Sequence, residues 1–172
     1  MSLRRRELVR RGAAAAGAAL AVSLTERLPE RAAAQSGDRE VLEGALALEL
    51  RLAGLYEELA QTAGRGAAQA EVFAAHCREH ARGLRTSLAN RGARPQSDGG
   101  GAPLPSPTVA AAADLETEAI AVYYGAHEGF GDLAFLPTLT SIMANHGQHL
   151  AILRQELGRQ PATLAFETGG VE

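Results

Sequence analysis

A chain of 172 residues, 46% of them apolar, can bury one full core, but with no Trp and only 4% aromatics that core must be built largely from Ala and Leu. Such interiors suit helices packed on helices and argue against a sheet, for which β-branched and aromatic residues are too scarce. The net charge of −3 hides a split: residues 1–34 carry seven Arg against three Glu, whereas residues 35–172 carry ten Arg against seventeen acids, so a nucleic-acid partner is not expected for the body. The single Cys, Cys77, excludes an internal disulfide framework and a zinc ribbon.

The chain opens with a basic leader followed by a small-residue run. Arg5-Arg6-Glu7-Leu8-Val9-Arg10 resembles the twin-arginine export signal, in which two Arg precede a polar residue, two apolar residues and a basic one. The Ala-rich run at residues 12–24 is too short to span a bilayer as a mature helix, and Ala32-Ala33-Ala34 before Gln35 offers a small-residue cleavage site. Residues 1–34 are therefore expected to be an export signal. The resemblance implies the twin-arginine export machinery as a partner and a location outside the cytoplasm, in periplasm, cell wall or medium. It also implies folded cargo, often with its cofactor already inserted. Glu26, Arg27, Glu30 and Arg31 crowd the cleavage region, so retention as a loose membrane anchor stays open. No Cys follows the apolar run, which excludes a lipoprotein.

The body, residues 35–162, reads as four amphipathic helices. The spacing predicts α1 over residues 38–62, with Ser36 or Asp38 as cap and Gly64 as its end. Leu42, Leu46, Glu49, Ala53, Tyr56 and Ala60 recur at alternating steps of four and three, forming one stripe. Glu49 lies mid-stripe, where an unpaired carboxylate is costly, so it demands a His, an Arg or a metal as partner. Helix α2 is predicted over residues 69–90, with Phe73, His76, Cys77, His80, Leu84 and Leu88 inward. His76 and His80, four apart, share that face.

Residues 91–108 are full of Gly, Pro and Ser and read as a linker, long enough for one crossover in a bundle and far longer than a turn requires. Helix α3 is predicted over residues 109–128, with Val109, Ala112, Glu116, Ile120, Tyr123 and His127 on its stripe. Glu118 lies about 200° around the helix from Glu116, which makes Glu116 the inward carboxylate. Helix α4 is predicted to start near Asp132 or after Pro137 and to run to Leu157, with Leu139, Ile142, His146, His149, Leu153 and Leu157 inward. Residues 163–172 carry no periodic signal and are expected to form a loose tail.

Two stretches of this pattern occur twice. LELRLAGLY from Leu48 and LETEAIAVY from Leu115 share Leu-Glu, then six residues, then Tyr. HARGLRTSL from His80 and HLAILRQEL from His149 share His, Leu-Arg and Leu at the same intervals. Two similar helical hairpins in tandem follow, and with them an all-α, antiparallel four-helix bundle with a long crossover between α2 and α3.

Superposing the repeats puts Glu49, His80, Glu116 and His149 in one layer, with His76 and His146 within a turn of it. Four of the five His residues thus face the core. Imidazole and carboxylate suit Fe, Mn, Zn or Cu, so these six residues are candidate metal ligands. A second reading stays open: Glu49 and Glu116 pair with His80 and His149 by buried hydrogen bonds, no metal binds, and the bundle serves as a structural or partner-binding module. Cys77 is either an added thiolate ligand or packing. Tyr56 and Tyr123, each seven residues after its Glu, are expected to form a core layer with their hydroxyls tied to partners. A homodimer formed by helix pairing also stays open.

These motifs, Leu-Glu…Tyr on α1 and α3 and His-x-x-x-Leu on α2 and α4, make residues 38–158 resemble the ferritin-like superfamily, in particular exported bacterial members of unassigned activity. The resemblance implies a ferritin-like bundle with a metal centre between its helices, two helices giving a Glu and the other two Glu-x-x-His. In this chain the positions three before His80 and His149 hold Cys77 and His146. Both bridging carboxylates of that pattern are missing, so the usual di-iron oxidase centre and its ferroxidase chemistry are not expected. Two carboxylates and up to four imidazoles remain, enough to hold one ion.

Overall fold

Alanine and leucine at helical spacing produce helices and, among the described residues, no strand. The computed structural model describes residues 36–62, 64–94, 103–163 and 167–170; the leader and the middle of the linker lie outside them. Helix α1 covers residues 36–62 and leads through a short 3-10 turn, Gly64–Gly66, into α2, Ala67–Asn90. Helix α3 spans Val109–Gly129 and α4 spans Leu136–Glu156. The first is longer at its start than the spacing predicts, and α4 begins with Pro137 in its first turn, where the missing N–H costs nothing.

The ends are set by local chemistry. The Thr108 side chain accepts a hydrogen bond from Ala111 N at 3.1 Å and caps α3. Gly92 (φ 73°) and Gly158 (φ 69°) close α2 and α4 with the paired bonds of a Schellman turn. In the first, Ala93 N reaches Leu88 O and Gly92 N reaches Ala89 O; in the second, Arg159 N reaches Arg154 O and Gly158 N reaches Gln155 O.

Asp38, expected as a cap for α1, is already helical and does something else. Its carboxylate is 4% exposed and accepts from the backbone N–H groups of Gly131 (2.6 Å) and Asp132 (3.1 Å). It therefore clips the start of α1 to the α3–α4 connection. Beside it, Arg91 at the end of α2 pairs with Asp132 and lies over the rings of Phe130 and Phe135.

The core falls into two apolar clusters. One gathers Leu52, Leu55, Leu59, Phe73, Ala112, Ile120, Leu150 and Leu153. The other gathers Leu42, Leu46, Leu84, Leu88, Phe130, Leu139 and Ile142. On α1, α2 and α4 the change from one cluster to the other falls beside a polar group, Glu49, His80, and His146 with His149, whereas on α3 it falls between Ile120 and Tyr123, one turn beyond the buried Glu116. The polar layer thus sits between two greasy ones. No described helix is long and apolar enough to cross a membrane.

Two glycines record close approaches. A Cβ at Gly54 would lie 3.2 Å from the Leu104 side chain, so the crossover passes over α1 there. A Cβ at Gly169 would lie 2.5 Å from both Ala121 N and Thr117 O on α3, and Gly169 has φ 69°, a combination only glycine meets. Glu167 pairs with Arg154 at 2.7 Å. Residues 167–170, expected as part of a loose tail, are seated on the bundle by these contacts, with a turn at Gly169 and Gly170.

Removing the clip at Asp38 should show in stability. Asp38→Ala leaves two backbone donors without their acceptor and is expected to cost about 1–3 kcal/mol, read as a lower denaturant midpoint at unchanged slope.

Candidate metal centre

Each helix brings its polar residue inward because the apolar positions on either side of it must be buried. Glu49, Glu116 and His146 are 0% exposed and His149 is 1% exposed, while His80 is largely covered. Glu118, two residues from Glu116, points outward to Arg51 at 3.3 Å, as the helical angle requires.

The two carboxylates are satisfied in parallel fashion. Glu49 Oε1 accepts from Tyr123 Oη (2.6 Å) and His146 Nε2 (2.9 Å), and Oε2 pairs with His80 Nδ1 (3.2 Å). Glu116 Oε1 accepts from Tyr56 Oη and pairs with His149 Nδ1 (3.0 Å), and Oε2 accepts from His146 Nδ1 (2.6 Å). Each Glu thus takes a His from its own hairpin and a Tyr from the other. The tyrosines have the tied hydroxyls expected of them, but to partners across the repeat.

His146 stands at the centre, bonded to both carboxylates. Ionised carboxylates only accept, so both ring nitrogens donate and the ring is an imidazolium. Burial disfavours that charge, but the hydrogen bonds to Glu116 and Glu49 outweigh it and raise His146 to about 10. Burial likewise pushes Glu49 up, and the bonds from His146 and His80 bring it down to about 2. Glu116 is lowered from its ordinary value in the same way, against burial, by His146 and His149. Tyr56 and Tyr123 are held well above the usual phenol range by burial and by the carboxylates they face.

Of the six candidate ligands, five meet at the carboxylates. His76 does not. It is half-buried and bonds through Nδ1 to His149 Nε2 at 2.9 Å, with the two rings stacked 5.2 Å apart. Burial and the neighbouring His149 lower its pKa. Cys77, at the repeat position matching His146, is fully buried, and its thiol hydrogen-bonds Glu49; burial first, then the two carboxylates, raise it well above its ordinary value. His127 lies outside the layer, bonded to Tyr123 O and Thr140 Oγ1.

A pair of metals bridged by carboxylates does not fit this arrangement, because Cys77 and the ring of His146 hold the positions the bridges would need. Two three-residue groups do fit a metal: Glu49, His80 and His146, and Glu116, His146 and His149, each with donor atoms within 4.8 Å of one another. Asn145, at the register position His76 holds on α2, buries Oδ1 without a hydrogen-bond partner among the described groups.

The charge pattern fixes a pH dependence for the metal-free protein. His146, raised from 6.5 to about 10, contributes stability that is complete below pH 6.5 and lost as pH rises toward 10. Glu49, lowered from 4.5 to about 2, contributes stability that is complete above pH 4.5 and lost as pH falls toward 2. Melting temperature measured in chelator should therefore plateau between about 4.5 and 6.5 and decline on both sides, and His146→Gln should remove the alkaline decline.

A family model for the ferritin-like domain matches residues 37–159, a span that takes in all four helices but for the first residue of α1. No curated protein and no solved structure matches the chain. The bundle, the carboxylate–imidazole layer between its helices and this match agree, and the chain belongs to the ferritin-like domain family.

Proposed function

We propose that this protein holds a transition metal at the Glu49–Glu116–His146 layer and acts in metal or redox handling outside the cytoplasm. The observation that carries the reading is the burial of two carboxylates and two imidazoles at 0–1% exposure in an otherwise apolar core. Burying ionised groups costs several kcal/mol each before compensation, and apolar residues of similar size would pack as well or better. A core needing only stability has no use for them, whereas a metal site needs this donor set.

Bound Fe, Mn or Cu would supply one-electron exchange, and bound Zn a Lewis acid. The protein's own groups would set that chemistry. Glu49 with His80, and Glu116 with His149, present an oxygen and a nitrogen from the two helices of one hairpin. Tyr123 and Tyr56 orient those carboxylates by donating to one oxygen of each. The leucine layers above and below exclude water. His76, half-exposed and bonded to His149, links the layer to the surface. The Arg5-Arg6 leader supports delivery by twin-arginine export, which would allow the ion to be inserted before the chain leaves the cytoplasm.

A second reading has an observation of its own. The layer is already complete as a hydrogen-bonded network, with His146 as its internal cation. A metal-free bundle serving as a structural or partner-binding module would look the same at these positions.

Metal analysis of protein purified from a host that exports it separates the two. The first reading expects a stoichiometric transition metal, lost in Glu49→Gln with the helical content retained. Metal-free wild type, with Glu49→Gln changing stability alone, favours the second. Arg5→Lys with Arg6→Lys is expected to leave the precursor in the cytoplasm on cell fractionation; unchanged export would remove the leader assignment.

A further inference from the structure

We infer that His146 is a shared ligand, one metal ion on each ring nitrogen, so that the centre is a two-ion site joined through an imidazole. The inference rests on the metal-binding reading above and specifies how the ions are arranged.

The geometry comes from one rigid ring. Nε2 of His146 faces Glu49 at 2.9 Å and Nδ1 faces Glu116 at 2.6 Å. The two nitrogens of an imidazole diverge, so a single ion cannot take both. Each nitrogen already has its own carboxylate and its own second imidazole: Glu49 and His80 on one side, Glu116 and His149 on the other. The result is two N,N,O groups of the same composition that share His146: the second hairpin supplies all of one, and the first supplies Glu49 and His80 of the other. Three protein ligands with a fourth position left open is an arrangement known for zinc-type sites.

The ring also answers the charge problem. Two divalent ions beside only two carboxylates would leave a large uncompensated positive charge in a dry layer. An imidazole that gives up both N–H protons becomes an anion and binds a cation at each nitrogen, which supplies a bridge and one of the two negative charges that a pair of bridging carboxylates would bring. Each entering ion replaces one ring proton, and both protons leave to solvent; no oxidation state changes.

The test is titration of the chelator-stripped full chain with Cu2+, following bound copper by mass spectrometry of metals and unpaired spins by electron paramagnetic resonance. Two ions per chain are expected, with the second equivalent lowering the resonance signal per copper as the two spins couple through the ring. His80→Ala and His149→Ala should each bind one ion with its full signal. One ion per chain in wild type, or two ions whose signal simply doubles, overturns the bridge while leaving the metal-binding reading intact. No bound ion overturns both. Should a variant lose its helical circular dichroism, the wild-type stoichiometry and coupling decide alone.

Discussion

Glu49 and Glu116 lie where water cannot reach them, and a carboxylate taken out of water is stable only if donors and positive charge replace the solvent. The middle of the bundle is arranged to meet that need. Each carboxylate collects a phenol and two imidazoles, and the one ring they share carries the compensating charge. Apolar clusters on either side then keep the layer dry, which strengthens every bond within it. The same dryness makes the arrangement intolerant of partial loss: removing one member leaves its neighbours buried and unpaired.

The duplication explains how two hairpins become one unit. Within a hairpin, Glu pairs with His; between hairpins, Tyr reaches across to the other Glu. Neither hairpin is satisfied alone, so the polar layer ties the halves together alongside the leucines. Asp38, on the first helix, adds a second tie by holding the turn between the last two. Symmetry fails at two positions. Cys77 stands where the second copy has His146, and His76 stands where it has Asn145. Those departures make the layer a carboxylate–imidazole site with one central ring and one half-exposed histidine, unlike a site built of bridging carboxylates.

Family membership alone gives the bundle and leaves the chemistry open, since a ferritin-like bundle can hold different centres or none. The donor set is what narrows the choice here. If the layer holds an ion as proposed, its carboxylates and imidazoles would favour a first-row transition metal over a hard cation such as Mg2+ or Ca2+, which would be held by oxygen.

Much of this was written in one dimension. A stripe of Leu and Ala at helical spacing must face inward, so the four helices, the inward Glu49 and Glu116, and the convergence of His80, His146 and His149 follow from periodicity and the repeat. The long Gly- and Pro-rich linker likewise announced a crossover. Tertiary structure alone decided which nitrogen meets which oxygen. Periodicity assigns a residue to a face but not to a partner on another helix, so the crossed tyrosines, the position of His146 between both carboxylates and the outlying place of His76 had no sequence signal. Asp38 read as a cap because its real partners are the amides of Gly131 and Asp132, more than ninety residues away in sequence. Gly169 read as tail because a close approach to α3 leaves no mark except the glycine itself. Faces are a local property of the chain, whereas pairings depend on how separate helices are turned against one another, and that is fixed only when the core closes.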